Sequence, residues 1–218
     1  MDTVIIRNQI ASARSHEAQT RELAHLLRAR LTRLHSTISV RAADPHLHLL
    51  AFATAFVECV PDLLDVLEEV SRNTAREELS DLFGAACRDF FIAPPALLQG
   101  HNGMNGAMAK SYLCHRTLEE INDHLRVTCQ QPLLPVDFTG SSLIIHHLLG
   151  EPFGNLLDSL VHSTAIGLLD RCDLSRLDNA HEVDPVDLLA ACQRRPLMDD
   201  GLRQAVVISS LFPGCTIH

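Results

Sequence analysis

The sequence predicts an all-α fold, a single domain spanning residues 1–218 with about eight helices led by a long N-terminal one. Three observations predict it. Helix start signals recur along the chain, the apolar residues between them keep a 3-4 spacing, and strand signals are few. Only Thr3 to Ile6 and Ala205 to Ile208 are β-branched enough to suggest strands, and neither alternates for long or adjoins a hairpin turn.

The first element covers residues 2–38. Ile6, Ile10, Ala13, Glu17, Thr20, Ala24, Leu27, Leu31, Leu34 and Ile38 follow one stripe, with Arg7, Arg14, Arg21 and Arg28 at sevenfold spacing beside it. One continuous helix over 3–38 would be about 55 Å long. The polar middle at Glu17 and Thr20 predicts a split into two helices, with Ser15 as the cap of the second. The Arg stripe is expected to face acids of this same chain, Glu58, Asp62, Asp65 and Glu69. The element is expected to pack or self-associate through Ile10, Leu27, Leu31 and Leu34, and a homo-oligomer through it is the partner expectation.

Asp44-Pro45 reads as an N-cap followed by the first helical residue, and Phe52, Phe56 and Cys59 continue the stripe. Pro61 is expected to open a separate helix. Thr74-Ala75-Arg76-Glu77 forms a capping box ahead of Leu79, Leu82, Phe83, Ala86 and Phe90. Pro94-Pro95 and the loop Gly100 to Gly106 break the pattern before a helix over 106–129. Breaks at 130–140, 150–154 and 173–184 separate the helices that follow, and Asp184-Pro185 starts the last.

Composition bounds the function. The 218 residues are 46% hydrophobic and 21% charged, an ordinary globular balance with a substantial core. No apolar run approaches the length of a membrane span, and Met1-Asp2-Thr3 lacks the pattern of a secretory signal. A cytoplasmic protein with no membrane partner is the expectation. Seven cysteines without a C-x-x-C disfavour both a disulfide framework and a zinc knuckle. The net charge is −9, yet residues 1–42 carry seven Arg against three acids, so an acidic body bears a basic arm. Net acidity, one tyrosine and no tryptophan argue against a nucleic-acid groove.

The chemistry-bearing residue type is histidine, 13 against 18 Lys and Arg. Along the 106–129 helix, Cys114, Leu118, Ile121 and Leu125 form the core stripe. His115 and Asn122 lie on one shoulder with Glu119 just beyond, and Glu120 and His124 lie on the other. Bundle metal sites are built on such shoulders. In Leu143 to Leu149 apolar residues cover nearly every direction around His146 and His147, so one imidazole must turn inward and needs a partner. Glu151 follows at the bend, and Asp158 and His162 form another i,i+4 pair. His115, Glu119, His147 and Glu151 together suit iron, manganese or zinc with open positions. His147 is expected to be buried within reach of His115 and Glu119.

Complete catalytic signatures are absent. Ferritin-like di-iron bundles need two Glu-x-x-His motifs, and the chain has only Glu22-Leu23-Ala24-His25. The chain has neither the second histidine of a zincin after His16-Glu17 nor the Gly-x-Ser-x-Gly of an α/β-hydrolase. The glycine-rich loop runs into a helix bearing Lys110, the only lysine, where backbone N–H groups and an ammonium would suit a phosphate or carboxylate. It is not a Walker A, because Ala109 replaces the required glycine. The functional expectation is a metal-dependent helical-bundle enzyme, an oxidoreductase in its strongest form, with its site between the 106–129 helix and the 141–170 helices. The alternative is a non-catalytic helical interaction or regulatory protein. Metal content separates the two.

Overall fold

The computed structural model describes residues 3–178 and 206–208. The fold is all-α. Seven helices of ten residues or more make up the described part: α1 (Val4–Thr20), α2 (Glu22–Leu31), α3 (Pro45–Ser71), α4 (Glu77–Ile92), α5 (Gly103–Thr128), α6 (Thr139–Leu149) and α7 (Glu151–Leu169). A five-residue α8 (Leu174–Asp178) follows. The expected helix start at Asp184-Pro185 lies outside the described residues.

The N-terminal element is two helices, split six residues later than Ser15 would place it. Arg21 takes a left-handed conformation, φ 55°, and the Glu17 carboxylate accepts from the N–H groups of Leu23 and Ala24 at 2.8 and 3.0 Å. Glu17 thus caps α2 from within α1, satisfying donors that a new helix leaves open. Ile6, Ile10 and Ala13 of α1 and Leu23 and Leu27 of α2 are buried in this chain's own core. The Arg stripe meets the acids of α3: Arg7 holds Asp62 and Asp65 at 2.8 and 2.7 Å, and Arg14 holds Glu58 at 2.5 Å.

Asp44 caps α3 as expected, its carboxylate accepting from Leu47 N at 3.0 Å. Pro61 does not open a helix; it sits inside the 27-residue α3. An interior proline costs about 3 kcal/mol, but Val57, Val60, Pro61 and Leu64 all lie in the core, and that burial outweighs the lost hydrogen bond. At the 74–77 box the Thr74 hydroxyl accepts from Arg76 N and Glu77 reaches back to Asn73 N, each one residue off the reciprocal pairing expected, and α4 starts at Glu77 with Arg76 in the N-cap position.

Within the second candidate strand, Val206–Ile208 does form one. Ile38–Val40 (β1) and Val206–Ile208 (β2) pair antiparallel, Ile38 opposite Ile208 and Val40 opposite Val206. The pairing is long-range, so no hairpin turn announces it. Thr3 to Ile6, the other candidate strand, is the start of α1.

Helix α5 is the axis of the molecule. It packs against α1, α3, α4, α6 and α7, and residues 111–115 are buried on every side. A helix covered all round needs small or apolar residues in all directions, and Ala107, Ala109, Ser111, Leu113 and Cys114 provide them. At its far end Asn122 pins the following loop: its Oδ1 accepts from Leu133 N at 2.8 Å and its Nδ2 donates to Leu134 O at 2.9 Å. Gly150, φ 94°, turns the chain between α6 and α7, where a side chain would run into Arg30. No helix among the described residues is long and apolar enough to cross a membrane.

Candidate functional site

Of the four side chains expected to share a metal, His115, Glu119 and His147 take separate partners and Glu151 lies exposed. His115 is buried between Phe56, edge-on at 4.2 Å, and Phe138, stacked at 4.4 Å, and its Nε2 lies 3.3 Å from Cys59 Sγ. Glu119, one turn on, accepts from Arg116 at 2.5 Å and from the Ser142 hydroxyl at 3.3 Å. His147 is half-buried, not enclosed. Its Nε2 accepts from His35 N at 3.0 Å, because α6 turns Ile144, Ile145 and Leu148 inward and leaves His147 to tie down the loop after α2. Glu151 is exposed at the first position of α7. Among the described residues no group of three or more His, Cys, Asp or Glu side chains is arranged to hold a metal ion.

A polar network does occupy the groove between α5, α6 and α7, built from different residues. Asp158 accepts from the Tyr112 hydroxyl at 2.6 Å, stands 3.2 Å from His146 Nε2 and 3.9 Å from Arg116 Nε. Arg116 continues to Glu119, and Glu119 to Ser142, so three helices share one network of hydrogen bonds and ion pairs. Burial, with the Asp158 carboxylate adding to it, pushes the Tyr112 phenol up. Burial also raises Glu119, only partly offset by Arg116. The expected Asp158 and His162 pair is not formed, since His162 reaches Glu120 on α5 at 3.0 Å. Packing joins residues of different helices here, Tyr112 and Glu120 on α5 to Asp158 and His162 on α7.

The second locus is an open recess of about 240 Å³ at the start of α5, lined by Gln9, Ser12, His16, Phe91, His101 and Lys110 among others. A neighbouring space of about 350 Å³ shares His16, His101 and Asn102 and adds Glu22 and Asn105. Their size suits a small metabolite rather than one water. Helix side chains lean toward the N-terminus, so Lys110 projects over Ala107, Gly106 and Gly103, all small. A Cβ on Gly106 would overlap the His101 carbonyl oxygen, and one on Gly103, φ 57°, would come within 2.7 Å of His16 Cδ2. Two glycines let the loop and α1 close around the recess.

Polar groups converge there. Asn102 occupies the N-cap position without a side-chain cap, so the first N–H groups of α5, which begins at the recess, have no intrahelical or side-chain acceptor. Among the described residues the Asn105 Oδ1 is buried without a hydrogen-bond partner. Lys110 pairs with no described carboxylate; its Nζ lies 3.4 Å from the Phe91 carbonyl and 5.7 Å from the Phe91 ring centre. Burial lowers its pKa. His16 stands 3.4 Å from Glu22, and His101 stacks on Phe153 at 4.3 Å. The glycines and Lys110 were legible as a ligand loop, but His16 was not: it comes from a helix nearly ninety residues earlier, and no local spacing connects the two.

No protein-family model matches this chain, and no similarity to a curated protein or a solved structure was found.

Proposed function

We propose that the protein is a helical binding protein for a small anionic molecule, a carboxylate or phosphate, held in the recess at the start of α5. The observation that carries this is the convergence of Lys110, the uncapped N–H groups of α5 and two histidines on one cavity. Lys110 supplies a cation with no carboxylate of its own among the described residues, and the recess it lines leaves room for the anion. Glu22 stands at the edge, 3.4 Å from His16.

The test is calorimetric titration of the full chain with inorganic phosphate, acetate and pyruvate at low salt. Saturable binding of at least one anion, weakened tenfold or more by Lys110→Met, is the expected result. A ligand at a hundred times its Kd would also raise stability by about 2.7 kcal/mol. Absence of saturable binding by all three, with folding intact by circular dichroism, would overturn the reading.

A metal-dependent enzyme, using iron, manganese or zinc, is the second reading. What favours it is that an imidazole and a carboxylate do meet in the groove between α5 and α6–α7, His146 with Asp158. For His115, Glu119, His147 and Glu151 to serve as ligands, the first three must give up the partners described above. Metal analysis of purified protein decides it: a stoichiometric metal released by His146→Ala supports this reading, and a metal-free sample that takes up none defeats it.

A further inference from the structure

We propose that Lys110 is a reactive amine that condenses with the carbonyl carbon of its anionic ligand, a small oxo acid or phosphorylated aldehyde, forming an imine within the recess. The proposal rests on the anion-binding reading and names the ligand's second functional group.

Three features set Lys110 apart. Arg7, Arg14 and Arg116 each hold a carboxylate, whereas Lys110 holds none among the described residues. Its Nζ instead donates to the Phe91 carbonyl at 3.4 Å beside the Phe91 ring, partly withdrawn from water and with no carboxylate to fix its charge. Reactive amine lysines are made by such surroundings, and the lowered pKa follows from the same burial. Next, Lys110 lines an open recess of about 240 Å³, so a small carbonyl compound can enter beside it. Last, His16 and His101 border the same space and supply the proton transfers that condensation needs.

The chemistry balances without a redox partner. The neutral Nζ lone pair attacks the carbonyl carbon, a C–N bond forms, and the carbonyl electron pair moves to oxygen, which takes a proton. Nζ gives up one proton to an imidazole. The resulting carbinolamine loses its hydroxyl as water when an imidazolium protonates it, leaving a C=N bond to Lys110. One water is released per imine. The protonated imine keeps a positive charge beside the ligand's anionic group, which sits at the start of α5.

Having a single lysine makes the test direct. The full chain is incubated with pyruvate, or with glycolaldehyde phosphate, then treated with sodium borohydride and mapped by mass spectrometry. The expected result is one adduct, with the mass of the probe less one oxygen, on the peptide that carries Lys110. It should saturate with probe concentration, be suppressed by inorganic phosphate, and disappear in Lys110→Arg. The two probes separate a carboxylate from a phosphate ligand. The proposal is overturned if neither probe is trapped, or if Lys110 is labelled no faster than the α-amino terminus and without saturation. Calorimetry on Lys110→Arg keeps the two readings apart. If anions bind wild type and this variant alike while wild type traps no probe, Lys110 acts only as a point charge and the imine is refuted alone.

Discussion

Gly154 lies directly beneath the His146 ring: a Cβ at Gly154 would stand 2.6 Å from His146 Nε2, the atom that faces Asp158 at 3.2 Å. The glycine is therefore part of the interhelix network without contributing a polar atom to it. Glycine to alanine inside a helix ordinarily stabilises by about 1 kcal/mol. Here that gain is offset by displacing the imidazole. Gly154→Ala is expected to give no net stabilisation in wild type but to stabilise by about 0.5 to 1 kcal/mol in a His146→Ala background. Urea melts of the four proteins in the cycle measure the coupling, and additive effects would mean that the ring is not held against Gly154.

Gly106 presents a harder constraint. The atom its Cβ would overlap is the His101 carbonyl oxygen, which is backbone and cannot rotate away. Gly106→Ala is expected to cost about 1 to 3 kcal/mol, as overpacking does, and to weaken phosphate binding by shifting the 100–102 loop. The change at Gly140, whose surroundings are open, is the control and should be nearly neutral in phosphate titration. Equal phosphate binding by Gly106→Ala and wild type would count against the loop as a wall of the recess.

These glycines mark the line between what the sequence discloses and what it hides. The core stripe of α5, the Asp44 cap and the match of Arg7 and Arg14 to α3 acids follow from periodicity and charge, which are local or nearly so. The misplaced features depend on contacts distant in sequence. Pro61 is tolerated because its surroundings are buried, and β1 finds β2 across most of the chain. His147 pairs with His35 and His146 with Asp158, a choice between adjacent histidines fixed by how α6 rolls against α5 and α7. Helical spacing defines the shoulder a residue occupies but not its neighbour.

The Arg stripe and the apolar stripe of the first two helices differ in weight. Arg14 and Glu58 are 60% and 38% exposed, so water and salt screen their contact. Arg14→Ala should cost at most about 1 kcal/mol, and the loss should shrink in high salt. Leu27 is fully buried in α2, and Leu27→Ala should cost about 2 to 5 kcal/mol irrespective of salt. Chemical denaturation with urea at two salt concentrations separates them. A large, salt-insensitive loss from Arg14→Ala would contradict the packing described here.

Glu119 gives the pH dependence. It is 6% exposed, and burial raises its pKa; the Arg116 and Ser142 contacts pull the other way, and Asp137 adds to the rise. In the unfolded chain the same carboxyl titrates in the ordinary range near pH 4.5. Between that value and the higher folded one the native state binds more protons than the unfolded state, so this group's contribution to stability falls as pH rises through the window. Above the window the buried charge persists as a constant cost, set against its bonds to Arg116 and Ser142. Glu119→Gln cannot ionise, and so lacks this slope. Urea melts of both proteins from about pH 4 to about pH 8 are expected to show wild type losing stability relative to Glu119→Gln as pH rises through the window, after which the two curves run parallel. Wild type gaining on the variant with rising pH would show that Arg116 outweighs burial and that the folded pKa lies below the ordinary range.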